Sequence, residues 1–148
     1  MQEPATADLP APRDIASALW RGARCRCPAC GKGRLFNGFL SVNPACPACG
    51  EALHHQRADD APAYFTIFIV GHVAVGGVLW AERAYMPPAW LQAGVWLTVA
   101  LVLSLWLLPR IKGMLIGLQW ALRMHGFAGP VVEHEFGIAP AHRPDPRT

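Results

Sequence analysis

The sequence has few charged residues, and their scarcity is concentrated in one part of the chain. Charged side chains make up 16% of the 148 residues and hydrophobic ones 53%, whereas roughly 25% is charged in ordinary soluble domains. Between Ala61 and Leu108 the only charged side chains are Glu82 and Arg83. A soluble core of this size would not need so long an apolar stretch. The composition therefore favours a membrane protein.

Recognisable catalytic patterns are also missing. The sequence contains no nucleotide-binding loop, no HExxH and no Ser/His/Asp arrangement. The net charge of +3 is too small to indicate nucleic-acid binding by itself, which leaves only the basic run from Arg21 to Arg34 as a minor argument for it. We therefore expect a protein that is not an enzyme and does not bind nucleic acid.

The five cysteines all lie between Cys25 and Cys49, and four of them form two CPAC units. The spacing C-x2-C-x15-C-x2-C is typical of four-cysteine zinc sites, and it predicts these metal ligands: Cys27, Cys30, Cys46 and Cys49. Four thiolates leave zinc no open coordination position, so the site is predicted to be structural, with iron as the less favoured metal. Cys25 lies outside the pattern and is either a bystander or, with Cys27, a CxC copper-transfer pair.

The cysteines belong to a segment that we predict to be a β-rich, zinc-ribbon-like module over residues 21–58. Such a piece is too short to fold by burial alone, so a metal would have to organise it. Ahead of it, residues 1–20 lack the apolar core of a secretory signal. We predict a disordered arm there, with a short helix around Ile15–Gly22.

Residues 59–109 are predicted to form a hairpin of two transmembrane helices, at 63–81 and 91–108. Neither segment contains a formal charge, and each would measure roughly 27–28 Å as a helix, close to the hydrocarbon thickness of a bilayer. After Pro109, apolar residues recur at helical spacing. They predict a juxtamembrane amphipathic helix over 110–125, either separate from the second span or continuous with it through a kink. A disordered tail is predicted at 126–148.

His72 lies in the middle of the first predicted span, where an ionisable side chain is a functional-site hypothesis. It could ligate haem or copper, or handle a proton. The alternative is a neutral imidazole that hydrogen-bonds the partner helix, for example Ser104, or a backbone carbonyl. Neither span offers a second His, Cys or Met to complete a metal site, so packing is the favoured interpretation.

The distribution of basic residues predicts the orientation of the hairpin. The flank before the first span carries Arg21, Arg24, Arg26, Lys32, Arg34 and Arg57. The flank after the second span carries Arg110, Lys112 and Arg123. The loop between the spans has only Arg83, so the positive-inside rule places both termini in the cytoplasm. The cysteines would then face a reducing compartment, which favours thiolate ligation over disulfides.

Several motifs occur in this chain in an order that resembles the order found in one known family. They are CPACGKGRLFNGFL, the second CPACG, Asp60-Ala-Pro-Ala-Tyr-Phe, Met86-Pro-Pro-Ala-Trp90 and Leu107-Leu-Pro-Arg-Ile-Lys-Gly113. Over roughly Arg21 to Met124 the chain resembles the uncharacterised bacterial membrane-protein family catalogued as domain of unknown function 983. Where that family usually has glycine at the start of the first helix, this chain has Ala61.

The resemblance implies a multi-pass protein of the bacterial inner membrane without an established activity. Its members are linked to cytochrome c oxidase assembly through the position of their genes. We therefore expect a non-enzymatic accessory protein that contacts a membrane protein complex, such as a haem–copper oxidase being assembled, with homo-oligomerisation left open. The alternative is a thiol redox or copper-transfer protein that uses Cys25, Cys27 and Cys30, with His72 in the membrane path.

Overall fold

A computed structural model describes residues 12–57 and 60–127, and these contain three α-helices. Their bounds are Ile15–Ala23 for α1, Ala61–Tyr85 for α2 and Ala89–Ala121 for α3. Between α1 and α2 the chain forms loops that carry all five cysteines, and residues 24–57 are called the cysteine module below. The first residues of the predicted arm and nearly all of the predicted tail at 126–148 lie outside the described residues.

Helix α1 lies at the end of the predicted arm 1–20. Asp14 caps its start, because the carboxylate accepts hydrogen bonds from the backbone N–H groups of Ala16 and Ser17 at 3.1 and 3.3 Å. A helix of nine residues is marginal in water by itself, so α1 depends on its packing against α3. The helix agrees with the short one expected around Ile15–Gly22.

Helices α2 and α3 contain the two predicted spans and extend beyond them. Their 25 and 33 residues correspond to roughly 37 and 50 Å of helix. Pro62 lies in the first turn of α2, where its missing N–H costs no hydrogen bond. Met86 ends α2 in the left-handed region at φ 45°, and Pro87 and Pro88 follow. Both helices are long and apolar enough to cross a membrane.

The segment predicted as a juxtamembrane helix over 110–125 is continuous with the second span. Helix α3 continues through Pro109 and ends at Ala121. A proline removes one backbone hydrogen bond, but polar side chains can supply the weakened turn with other partners. Here the Arg110 guanidinium donates to the Trp106 carbonyl at 2.7 Å and stacks on the Trp106 ring at 4.0 Å. The segment after Pro109 is therefore the end of the same helix.

Helix α1 crosses this end of α3 at small residues. A Cβ atom built on Gly22 would lie 2.1 Å from the Gly113 carbonyl oxygen, and one built on Gly113 would lie 2.1 Å from that of Gly22. A Cβ atom built on Gly117 would likewise lie 2.4 Å from the Ala18 carbonyl oxygen. The pairs Ala18/Gly22 and Gly113/Gly117 are each spaced four apart, a pattern that lets helix backbones touch.

Helices α2 and α3 pack against each other through Gly77 and Trp96. A Cβ atom on Gly77 would lie 1.8 Å from the indole ring of Trp96, whereas one on the neighbouring Gly76 would meet nothing within 4 Å. Near the connecting loop, the Gln92 amide donates to the Glu82 carboxylate. The two neighbouring glycines of α2 thus differ, since Gly77 makes room for the ring and Gly76 does not.

We predict that Gly77→Ala destabilises the hairpin and that Gly76→Ala does not. The methyl group at position 77 would force the Trp96 ring to move, and overpacking of this kind typically costs about 1–3 kcal/mol. Thermal unfolding of each variant in mild detergent, followed by circular dichroism, measures the difference. Equal midpoints for the two variants would contradict the packing described here.

The cysteine module is not β-rich in the described residues, which contain no β-strand. Its three isolated antiparallel bridges are Arg26↔Arg34, Phe36↔Val42 and Ala45↔Ala52. Prolines and glycines turn the chain before any bridge extends into a ladder. Each bridge instead closes one loop, and the first and third bridges close the loops that hold the two cysteine pairs.

Candidate metal centre

The two CPAC segments fold in the same way. In each one the glycine that follows the second cysteine donates its N–H to the carbonyl of the first: Gly31 to Cys27 at 2.8 Å and Gly50 to Cys46 at 2.9 Å. Both glycines have left-handed backbones, with φ +69° and +76°. A side chain would be strained there, so the glycine after each pair closes a tight turn.

Backbone N–H groups point at two of the sulfurs. Lys32 donates to Cys30 Sγ and Ala48 donates to Cys46 Sγ, each at 3.4 Å. Each CPAC turn therefore directs a backbone N–H group at one sulfur of the predicted metal site.

The structure brings together the four predicted ligands. All four Sγ atoms lie within 4.8 Å of one another, and the pairs Cys27/Cys49 and Cys30/Cys46 are each 3.8 Å apart. These separations are too long for disulfides, and all the cysteines are free thiols. Four sulfurs placed tetrahedrally at ~2.3 Å from zinc would be roughly 3.8 Å apart. The donor atoms and their spacing therefore fit a metal ion such as zinc.

The sulfurs differ in burial and in protonation. Cys27 and Cys46 are buried, whereas Cys30 is half-buried and Cys49 is exposed. Burial raises the pKa of the Cys27 thiol well above its usual range. Backbone hydrogen bonds from Gly33 and Lys32 lower the pKa of Cys30 to about 6. Cys30 is thus a ready thiolate at neutral pH, and a metal would displace the proton that Cys27 holds.

The cluster is part of a small core to which α3 contributes. Leu35, Leu53 and Ile116 are fully buried at 0% exposure, and they pack with Cys27 and Cys46. Ile116 belongs to α3, about two turns past the residues that the sequence assigned to the membrane. The module therefore folds around the metal cluster and the end of α3 together.

Polar contacts hold the module to the same end of α3. The Lys112 ammonium donates to the Leu40 carbonyl at 3.0 Å, and the Trp120 indole N–H donates to the Glu51 carboxylate at 2.8 Å. The Gln119 amide exchanges two hydrogen bonds, each at 3.0 Å, with the backbone of Arg57. These three side chains of α3 therefore bind the module.

We predict that Gly33→Ala weakens metal binding. A Cβ atom on Gly33 would lie 2.3 Å from Cys46 Sγ, so the added methyl group pushes this sulfur out of the cluster. Changes beside metal ligands commonly lower affinity about 10–100-fold. Zinc affinity, measured by chelator competition, should fall by roughly tenfold or more. Gly71→Ala is the control because nothing lies within 4 Å of its Cβ position, and an equal loss in both variants would contradict the prediction.

Cys25 and His72 lie outside this cluster. Cys25 is half-buried, has a left-handed backbone at φ 57°, and burial raises the pKa of its thiol. His72 is exposed on α2, and its Nδ1 lies 2.7 Å from the Phe68 carbonyl oxygen, one turn earlier in the same helix. This is a backbone-carbonyl contact, as one interpretation of His72 expected, although the carbonyl belongs to its own helix.

Sequence reasoning missed the contribution of α3 to the site. Gly113 and Gly117 form a GxxxG pattern that could have indicated a close helix crossing. No local pattern pointed to Ile116 as a core residue of the module, because its partners Leu35 and Leu53 are distant in sequence.

A family model described as Protein of unknown function (DUF983) matches residues 36–120, more than half of the 148 residues. The chain belongs to the DUF983 family. Comparisons with curated proteins and with solved structures find no match.

The DUF983 match covers part of the cysteine module and both long helices. It includes the second cysteine pair, both long apolar helices and the end of α3 through Trp120. It begins after Cys27 and Cys30, whereas the resemblance read from the motifs begins at Arg21. The family assignment made from the sequence is confirmed.

Proposed function

We propose that this DUF983 protein is a non-enzymatic integral membrane accessory protein whose cysteine module holds one structural zinc ion. The observation that supports this most strongly is the cluster of four sulfurs, because their spacing suits a tetrahedral four-thiolate site. Such a site is saturated by protein ligands and leaves no position for water or substrate. Its contribution is to stabilise a short module that burial alone would not fold.

Insertion into a membrane is supported by where the apolar side chains point. Only 11% and 0% of the most apolar 18-residue windows of α2 and α3 are buried within the protein. The core helix of a soluble protein would be mostly buried, and so large an exposed apolar surface requires a cover. At roughly 50 Å, α3 exceeds the ~30 Å hydrocarbon core. Its far end would therefore stand in the aqueous phase, where it packs with the module.

The module and both termini are proposed to lie in the cytoplasm of a bacterium, with the loop between α2 and α3 outside. Basic residues on the module side support this orientation through the positive-inside rule. Single cysteines at two exposed positions, Ser41 in the module and Tyr85 at the loop, test it in a Cys25→Ser background. A membrane-impermeant maleimide added to intact cells should label Tyr85→Cys and spare Ser41→Cys. Labelling of Ser41→Cys and not of Tyr85→Cys would show that the orientation is the reverse of the one proposed.

The proposed partner is a membrane protein complex that contacts the module. The family resemblance suggests a haem–copper oxidase being assembled. A photo-crosslinking residue at Phe39, which is 52% exposed in the module, should capture the partner, whereas one at Met86, 81% exposed at the loop, should not. If the metal site holds the module in the conformation that the partner binds, the crosslinked adduct should be lost in Cys46→Ser. A persistent adduct would contradict that role, and an adduct of two chains would make the partner a second copy.

Thiol redox or copper transfer is the second candidate. It is favoured by the pKa of Cys30, lowered by backbone hydrogen bonds to about 6, and by the exposure of Cys49. It is disfavoured because Cys25 and His72, which it would also use, lie outside the cluster. Rapid alkylation of Cys30 in the native, metal-loaded protein would support this candidate. Slow alkylation of all four clustered cysteines would support structural zinc.

A further inference from the structure

Basic side chains line an open cleft beside the cysteine module, at the point where α3 passes Pro109. The cleft has a volume of about 490 Å³, and its basic residues are Arg24, Arg26, Lys32 and Arg34. An adjoining cleft of about 570 Å³ shares Arg24 and Arg26 and adds Arg110. Each volume is many times the ~30 Å³ of one water molecule, so the clefts admit a group of phosphate size.

Within the described part of the chain, no carboxylate balances the positive charge of these clefts. Among residues 12–57 and 60–127 the acidic residues are Asp14, Glu51, Asp60 and Glu82. None of them lines either cleft. Asp14 caps α1, Glu51 accepts from Trp120 and Glu82 accepts from Gln92. A four-thiolate zinc site would add a formal charge of roughly −2 nearby, which is smaller than the charge of the five basic side chains.

Apolar and aromatic side chains adjoin the same basic groups. Phe36, Phe39 and Pro109 line the first cleft, and Pro109 follows the last residue of the predicted second span. Two of the arginines stack on tryptophans, Arg24 on Trp20 at 4.5 Å and Arg110 on Trp106 at 4.0 Å. Tryptophan is the residue type typical of membrane–water interfaces. The cleft thus joins a cationic surface to an apolar one at the level where lipid headgroups lie.

We infer that this basic cleft binds a phosphate-bearing anion, the headgroup of an anionic phospholipid of the adjacent leaflet. Arginine pairs with phosphate oxygens through two parallel hydrogen bonds, and basic pockets at the cytoplasmic side of membrane proteins attract anionic lipids. Free phosphate would engage the same cations, but it would leave the exposed ring of Phe39 without a partner. The choice of a lipid as the source rests on the proposed membrane insertion.

The full-length, zinc-loaded protein in neutral detergent provides the test. It is incubated with equal amounts of phosphatidylglycerol and phosphatidylcholine, separated from unbound lipid, and the retained lipids are quantified by mass spectrometry. We expect phosphatidylglycerol to be retained several-fold over phosphatidylcholine. The double variant Arg26→Gln/Arg34→Gln should bring that ratio close to one.

A matched control removes the same charge elsewhere. Arg57→Gln/Arg83→Gln changes two arginines that line neither basic cleft, and it should keep the wild-type ratio. Zinc content of one per chain in both double variants shows that the module remains folded. An unchanged ratio in Arg26→Gln/Arg34→Gln would overturn the inference.

A second arm distinguishes the source of the phosphate. Displacement of phosphatidylglycerol by millimolar inorganic phosphate would support the anion-binding site, but it would identify the occupant as a soluble phosphate and not a lipid. Equal retention of both lipids by the wild-type protein, without phosphate binding, would overturn the site and leave membrane insertion standing. Retention of neither lipid would contradict the proposed membrane insertion as well.

Discussion

Replacing Cys46 with serine is expected to abolish stoichiometric zinc binding and to unfold the cysteine module. Cys46 is only 3% exposed, and it packs with Leu35 and Leu53 in the core that surrounds the cluster. Binding of a structural zinc contributes about 10–16 kcal/mol in small zinc domains, as much as the whole stability of many proteins, about 5–15 kcal/mol. Zinc per chain and limited proteolysis of the purified variant measure the two effects.

Cys25→Ser is the matched control for that experiment. Cys25 lies two residues from Cys27 in the sequence but outside the sulfur cluster, so the variant should keep its zinc and its resistance to protease. Cys46→Ser with wild-type zinc content would show that the four sulfurs do not act as one site. A loss of zinc in Cys25→Ser would bring this residue into the ligand set.

The second large effect is expected for Gly113→Ala. Alanine in place of an exposed helical glycine usually stabilises by about 1 kcal/mol, but here the new Cβ atom would lie 2.1 Å from the Gly22 carbonyl oxygen. Backbone cannot rotate aside as a side chain can, so α1 must move away from α3. We therefore expect Gly113→Ala to lower the free energy of unfolding by at least about 1–3 kcal/mol instead of raising it. Thermal unfolding in mild detergent measures it.

Gly94→Ala, in the same helix, provides the comparison for Gly113→Ala. Nothing lies within 4 Å of a Cβ atom at Gly94, so this variant should be as stable as the wild type or slightly more stable. Opposite signs for the two variants would confirm the close crossing of α1 and α3. The same sign and size in both would contradict it.

The cysteine cluster could be predicted because its information is local. Two residues between paired cysteines, with a glycine after each pair, produce the same turn at Gly31 and at Gly50. The metal chemistry then requires the two turns to face each other. Likewise, the absence of charge over 63–81 and 91–108 was sufficient to predict both apolar helices. This prediction does not require knowing which residues pack against them.

The features that the sequence left open or predicted wrongly depend on contacts between distant parts of the chain. Proline normally weakens a helix, yet α3 passes Pro109 because its end is held by the module and by α1, through Ile116 and Gly113. Helix α1 could be expected from the sequence as a short helix, but its packing could not, because the partner of Gly22 lies on α3. The β-rich module failed because single bridges are sufficient to close its loops when the cysteines converge.

One helix thus connects the two halves of the protein. Helix α3 provides an apolar span and, beyond Pro109, supplies Ile116 to the core of the module and Lys112 and Trp120 to its surface. A module held in this way has a defined position relative to the membrane proposed around α2 and α3. A module in a fixed position can present a rigid surface to the proposed membrane partner, whereas a module on a flexible tether could not.

Metal analysis of the native full-length protein, combined with thiol titration of the same sample, tests the central claim most directly. The structure predicts one tightly held zinc per chain, four thiols protected from alkylation, and Cys25 as the thiol that reacts. Substoichiometric metal, bound copper or rapid reaction of Cys27 and Cys30 would contradict a structural zinc site. Thiol redox or metal transfer would then become the leading function.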